Sequence, residues 1–274
     1  GYILIASGAA SGRNSQKNNV HDINTFLTIS GSELLNRSLE TIDQEKPYIS
    51  VVGGGATGIQ FLFEISHFIK RKKMECGLRL IHSSERVLQQ FPEGFSEYTE
   101  ARMSNLDIDF QQNTYYQEQA ENSIFLKSKE TEKEFELPSK ITLLFLGNNP
   151  GKRLSANTFG QVIINNQPIR NIFIAGDCSN YDSCGSNTMS AQSSVRKGRL
   201  AACNILRDSS ILKIFEPYLH QDLGYVISLG PKDAVGWLAV ENNVVGGTPA
   251  LLLKETVESQ YDLLLATGID TYLM

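Results

Sequence analysis

Six consecutive residues carry the most definite chemistry in the chain: Gly53-Gly54-Gly55-Ala56-Thr57-Gly58. The G-x-G-x-x-G spacing alone is a weak signal. Here it follows an apolar strand, YISVV at 48–52, and leads into a helical apolar stretch. A second strand, LRLIH at 78–82, comes about 25 residues on, the distance of a βαβ unit. Gly53 permits a tight turn, Gly55 lets backbone approach a pyrophosphate, and Gly58 lets helix and strand pack closely. Ala56 and Thr57 open the helix, whose first N–H groups and positive dipole end suit phosphate. The plainer alternative is a glycine-rich turn that holds no ligand.

Two further groups could complete such a site. The second strand ends in His82, followed by Ser83, Ser84, Glu85 and Arg86. A carboxylate at 82 would bind ribose hydroxyls and repel a 2′-phosphate, whereas His82 and Ser83 can donate to either, and Arg86 adds positive charge. Both NADH and NADPH are therefore expected to be accepted. The alternative makes His82 a neutral strand-end residue and gives Glu85 the ribose role. Further on, the apolar run Asn171–Ala175 ends in Gly176-Asp177-Cys178. An Asp at the carboxyl end of a strand can accept hydrogen bonds from a polyhydroxyl chain, or can simply cap the next turn. Ala191-Gln192 begins a long helix whose N-terminal backbone could face an electron-rich ring.

The elements that must position these residues alternate in type. The pattern predicts a strand at Tyr2–Ala6, a polar loop at 13–30 and a helix at 31–44. After the helix that ends at Lys70–Lys73 come a helix at 95–106, a strand at 107–111, a hairpin at 122–137 and strands at 141–147, 161–165 and 171–176. A helix at 188–206, strands in YVISLG and AVGWLAV, and an amphipathic helix near 250–260 finish the chain. The 274 residues, 41% hydrophobic and 20% charged, suit about two globular domains. With 25 basic against 30 acidic residues, broad nucleic-acid contact is not expected. No apolar run is long enough for a membrane-spanning helix, and no signal peptide is visible. Four cysteines fit a reducing compartment, with Cys178 and Cys184 expected to be unpaired, and the four histidines show no metal spacing. Trp237 is expected in a core. An opening inside a strand with no initiator Met reads as a piece of a longer chain.

ILIASGA at 3–9, VVGGGATG at 51–58, LLFLGNNP at 143–150, IFIAGDC at 172–178 and AQSSVRKGRLAACNI at 191–205 occur in this order. Together they resemble the pyridine-nucleotide-disulfide oxidoreductases, the two-dinucleotide flavoproteins. The tail LGYVISLGPKDAVGWLAV at 223–240 looks like that of type II NADH dehydrogenases and apoptosis-inducing-factor-like quinone reductases. The resemblance implies an α/β fold in which a Rossmann-like NAD(P)-binding domain (45–147) is inserted into a partial FAD-binding domain (1–44 and 148–214). A C-terminal α+β module (215–274) follows. It implies FAD and NADH or NADPH as cofactors, with hydride passing from nicotinamide to flavin and on to a quinone-like or protein acceptor. Asp177 and Gly176 would hold the flavin's ribityl chain, Ala191 and Gln192 would abut its ring, and Gly147 would turn the linker between domains.

Departures from the family pattern qualify these roles. No second G-x-G-x-x-G precedes the first strand, so FAD is expected to bind weakly to this chain alone. Gln60 stands where many members carry Glu, and Leu146-Gly147-Asn148-Asn149-Pro150 replaces an ATG-x-x-P turn. A non-catalytic relative is the rival reading, and no catalytic residue is assigned. The C-terminal leucine runs are read as core or dimer surface. Peripheral membrane contact is the lesser alternative, because Glu255, Glu258 and Asp262 outnumber Lys254. A cytoplasmic location, near the inner face of a membrane in that lesser case, is expected.

Overall fold

The computed structural model describes residues 1–9, 19–28, 47–147, 153–210, 214–240 and 242–268, with single positions at 33 and 36. Apart from Glu33 and Asn36, the helix expected at 31–44 lies outside the described residues, as does the turn at 148–150. Strand β1 (Ile3–Ile5) is followed by β2 (Val20–Asp22), helix α1 (Ile23–Thr28), β3 (Tyr48–Val52), α2 (Ala56–Lys72), β4 (Gly77–Ile81), α3 (Glu93–Ser104) and β5 (Asp109–Gln111). Next come β6 (Thr114–Gln119), β7 (Ser123–Ser128), β8 (Glu134–Pro138), β9 (Ile141–Leu144), β10 (Leu154–Ala156), β11 (Gln161–Ile164), β12 (Gln167–Ile174) and β13 (Ser179–Tyr181). Helix α4 (Ala191–Ser209), β14 (Gly224–Ser228), β15 (Ala234–Leu238), β16 (Val244–Gly246) and α5 (Thr248–Thr267) complete the order. The contacts divide these elements into two compact units. One gathers described residues of Gly1–Gly12 and Asn148–Leu223, the other those of Arg13–Gly147 and Gly224–Asp270.

The second unit is built on a five-stranded parallel sheet, order β2-β9-β3-β4-β5. One face of its central strands is apolar and fully buried, through Ile49, Val51, Leu80, Ile141 and Leu143, while the other buries Ser50, Arg79 and Thr142 beside Val52 and Ile81. The chain runs from β3 outward to β4 and β5, then returns to β9 on the other side of β3. That reversal opens a crevice at the carboxyl ends of β3 and β9. Helix α2 buries Ile59, Leu62, Phe63, Ile65, Phe68 and Ile69, and ends in Lys70, Arg71 and Lys72, which complement its negative dipole end. Arg79, inside β4, is buried without being stranded. Its Nε donates to Asp109 (2.6 Å), one amino group donates to the Pro138 carbonyl (2.8 Å), and the guanidinium lies 4.4 Å from the Tyr48 ring centre.

Two antiparallel sheets extend this unit. In β6-β7-β8, Ile124 and Leu126 pack on Val52 and Ile81, at the ends of β3 and β4. In β14-β15-β16, Ile227, Val235 and Trp237 join the core formed by α2 and the parallel sheet. Strands β14–β16, part of the segment 215–274 set apart in sequence as a C-terminal module, thus contribute to that hydrophobic core. Asp233, just before β15, fixes α3 to it by accepting from the Tyr98 hydroxyl (2.9 Å) and pairing with Arg102 (2.6 Å).

Several sequence expectations change. The polar loop predicted at 13–30 contains β2 and α1 in its described part. Val20 and Asp22 are buried, and the Asp22 carboxylate accepts from the Thr25 amide (3.2 Å), a cap that the surrounding polar residues obscured. The hairpin at 122–137 is a three-stranded sheet, because polar-rich β6 pairs with β7. Strand β1 forms as expected, at a sheet edge, with Ile3 and Leu4 exposed. Helix α5 is not core: Ala250 is its one fully buried residue among those described, and Leu252 and Leu265 are exposed.

The first unit carries the order β1-β12-β11-β10-β13, with β1 parallel to β12 across the long intervening sequence. Its helix α4 turns an unusually polar face inward. Ser193, Lys197, Asn204 and Asp208 are buried, and each has a partner.

Trp237→Ala should lower the unfolding free energy by about 3–5 kcal/mol in denaturant titrations followed by circular dichroism. A loss below about 1 kcal/mol would contradict the shared core, because a surface substitution costs that little.

Candidate functional site

The turn after β3 is fixed by a backbone approach that only glycine allows. Gly53 has φ 112°, and a Cβ there would be driven into the Phe145 carbonyl at the end of β9. A Cβ on Gly58 would strike the Gly53 carbonyl in turn. Between them Gly55 is open: the nearest atom to a Cβ would be Gln90 Nε2 at 4.0 Å. Gly55 caps α2 in an extended conformation, and no side chain caps the helix. The helix therefore meets the crevice with backbone N–H groups and a positive dipole end, flanked by half-buried Ala56 and exposed Thr57. Open space, uncapped donors and a glycine floor fit a dinucleotide's pyrophosphate. Gly147 follows β9 on the same side of the sheet, exposed, with φ 79°.

His82 lies against this turn. The Gly54 amide donates to His82 Nδ1 (3.1 Å), so the ring carries its proton on Nε2. Burial pushes the His82 pKa down, which keeps the ring neutral at pH 7. His82 therefore braces the glycine turn and keeps one N–H to donate. Arg86 sits nearby but is engaged: it donates to Ser96 Oγ (2.7 Å) and to the Gln89 carbonyl (3.4 Å), fastening the loop to α3. Ser83 receives a contact that sequence reasoning missed. Lys129 Nζ, from the β7–β8 turn, lies 3.5 Å from its carbonyl oxygen. Nothing in the local sequence near 129 marks it. The pairing that brings it there is long-range.

In the other unit, Gly176 turns with φ 74° at the end of β12 and presents Asp177. Ser194 Oγ donates to Asp177 Oδ1 (2.9 Å), which ties the carboxylate to the first turn of α4 beside Ala191 and Gln192. Among the described residues Oδ2 has no partner, so it can accept from a ligand hydroxyl. Ser190 caps α4 by accepting from the Ser193 amide (3.0 Å). Asp222, also missed from sequence, organises that cap by accepting from Ser186, Thr188 (2.7 Å) and Ser190 (3.3 Å). Burial alone would raise the Asp222 carboxyl. His220 at 3.7 Å and the Ser186 and Thr188 hydroxyls outweigh that and hold it at about 2. Cys178 and Cys184 are free thiols, Trp237 is buried, and no metal-binding group of His, Cys, Asp and Glu occurs among the described residues.

A histidine whose folded pKa lies below its unfolded value stabilises the fold above about pH 6.5, and that contribution is lost as pH falls through the folded pKa. NMR titration of the His82 ring should give a midpoint below 6.5. A midpoint above 6.5 would contradict its buried, amide-accepting position. His21, also lowered by burial, adds a stability slope of the same sign. His82→Gln should therefore reduce the acid-side loss of stability without abolishing it.

Residues 1–198 match the family model described as pyridine nucleotide-disulphide oxidoreductase. Among solved structures, the chain is similar to NDH2 from Plasmodium falciparum in complex with NADH (TM-score 0.77, 15% identity, 93% of this chain and 73% of that one). It is also similar to the sulfide:quinone oxidoreductase of the hyperthermophilic bacterium Aquifex aeolicus (TM-score 0.71, 17% identity, 97% and 69%). A third is reduced Bacillus anthracis CoADR-RHD (TM-score 0.62, 14% identity, 86% and 42%). At these identities the likeness to each concerns the fold. The family match spans both the glycine turn at the β3–β9 crevice and the Asp177 strand end, and the chain belongs to the pyridine nucleotide-disulphide oxidoreductase family.

Proposed function

We propose that this chain serves an FAD-dependent NAD(P)H:acceptor oxidoreductase in which hydride passes from nicotinamide to flavin, with a quinone-like molecule or redox protein as acceptor. The observation that carries the reading is the uncapped start of α2 at Gly55, facing the crevice beside a backbone approach that only glycine permits. Gly55, Ala56 and Thr57 would bind the pyrophosphate through backbone N–H groups. Gly53 and Gly58 would hold the turn's shape, and Gly147 would border the crevice. His82 would orient the turn through Gly54 and offer Nε2–H to the ribose, with Ser83 beside it and Arg86 as a brace.

Asp177 would accept from flavin ribityl hydroxyls, with Gly176 giving its turn, and Ala191 and Gln192 would meet the ring. A bound flavin supplies the hydride-accepting chemistry, while these residues supply binding and orientation. The pairing of β1 with β12, on either side of the nucleotide unit in sequence, supports the inserted-domain reading. The NADH and quinone named for the similar structures favour these substrate classes. For location we favour the cytoplasm, with peripheral contact at the inner face of a membrane as the lesser alternative; no described helix is long and apolar enough to cross a membrane. The exposed leucines of α5 would serve that contact or a homodimer.

The protein mixed with FAD and titrated anaerobically with NADH and with NADPH tests this. The expected result is loss of the flavin's visible absorption, its return on adding a soluble quinone, and weaker flavin retention in Asp177→Ala. Nucleotide binding with no loss of flavin colour would favour a non-catalytic relative, the direction in which Gln60 leans.

A further inference from the structure

The carboxyl end of β4 is enclosed by a turn that the nucleotide-binding strands do not themselves provide. His82 donates its amide to the Gln111 carbonyl (2.9 Å) and accepts from the Thr114 amide (2.9 Å). The Asn113 amide donates to the Ser84 carbonyl (3.2 Å), and the Lys129 amide donates to the Asn113 carbonyl (2.7 Å). Asn113 adopts φ 49°, and its side chain donates to Glu130 (2.9 Å). This ladder of backbone bonds carries the β7–β8 turn to the 82–84 loop and leaves Lys129 exposed, with its ammonium 3.5 Å from the Ser83 carbonyl. Among the described residues that ammonium has no carboxylate partner, whereas its neighbours do: Lys127 pairs with Glu132, and Glu130 is taken by Asn113.

The same loop offers no carboxylate at 82, 83 or 84, and its nearest acid, Glu85, is exposed. In a βαβ nucleotide site this strand end receives the adenosine ribose, and an acid there selects the free 2′-hydroxyl. Here the strand end combines a neutral imidazole with a free N–H, two serine hydroxyls and an unpaired ammonium. That is a donor set with a positive charge and fits a phosphate monoester better than a hydroxyl pair.

We propose that Lys129, delivered by the β7–β8 turn, is a specificity-determining residue that makes this site prefer a nucleotide carrying a 2′-phosphate over one with a free 2′-hydroxyl. The proposal rests on the nucleotide-site reading above. Isothermal titration with 5′-AMP and 2′,5′-ADP, which differ only in that phosphate, separates the two. Wild-type protein should bind 2′,5′-ADP about tenfold more tightly, the scale of one charge-assisted hydrogen bond. The advantage should shrink with added salt. Lys129→Ala should erase it by lowering 2′,5′-ADP affinity to that of 5′-AMP, and Lys129→Arg should retain it. Equal affinity for the two probes in the wild type, or a preference that survives Lys129→Ala, would overturn the proposal and leave the nucleotide site standing. Failure of both probes to bind would overturn the nucleotide reading and this proposal with it.

Discussion

The unit that carries the glycine turn depends on how closely the end of β3 approaches the end of β9. The Gly53 backbone meets the Phe145 carbonyl and Gly58 meets the Gly53 carbonyl, so neither position has room for a side chain. This double contact sets the tightness of the turn, and the turn sets where α2 begins. Because α2 begins there, its apolar face falls on the sheet, and its first amides are left at the crevice with no side chain to cap them. The arrangement leaves backbone donors unsatisfied at the helix start, where phosphate could meet them.

Two appended sheets hold this geometry from different sides. The β6-β7-β8 sheet covers Val52 and Ile81, the last residues of the two strands that flank the turn, and supplies the backbone bonds that fix the loop after β4. The β14-β15-β16 sheet shares the α2 core, and the Asp233–Arg102–Tyr98 cluster fastens it to α3. His82 joins the first of these supports to the site. Its backbone belongs to the ladder reaching β6, while its ring accepts from Gly54. A neutral imidazole is needed for that role, and burial provides it.

The parts legible in sequence were those with local signals. The glycine turn, the apolar runs of β3, β4 and β9, the long helices α2 and α4, and the Gly176-Asp177 strand end all show in residue type and period. Strand β2 and helix α1 did not, because Val20-His21-Asp22 is short, polar in composition and buried only through pairing with β9. Strand β6 reads TYYQEQ, whose polar residues conceal its pairing with β7. The leucines of α5 suggested burial, but one face of that helix has no cover among the described residues. The residues of the candidate site followed the same division. Gly53, Gly55, Gly58 and Asp177 sit in recognisable motifs, whereas Lys129 and Asp222 reach their places by contacts far apart in sequence. His82 was legible as a strand-end residue, but its bond to Gly54 was not, since that depends on the close packing of two loops.

The central claim is that a nicotinamide nucleotide binds at the glycine turn through backbone N–H groups. Amide chemical-shift mapping of isotope-labelled protein during titration with NADH tests it most directly. The account predicts saturable shifts at Gly54, Gly55, Ala56 and Thr57, together with the ring signals of His82. Shifts confined to residues away from the β3–β9 crevice, or none at saturating NADH, would contradict it.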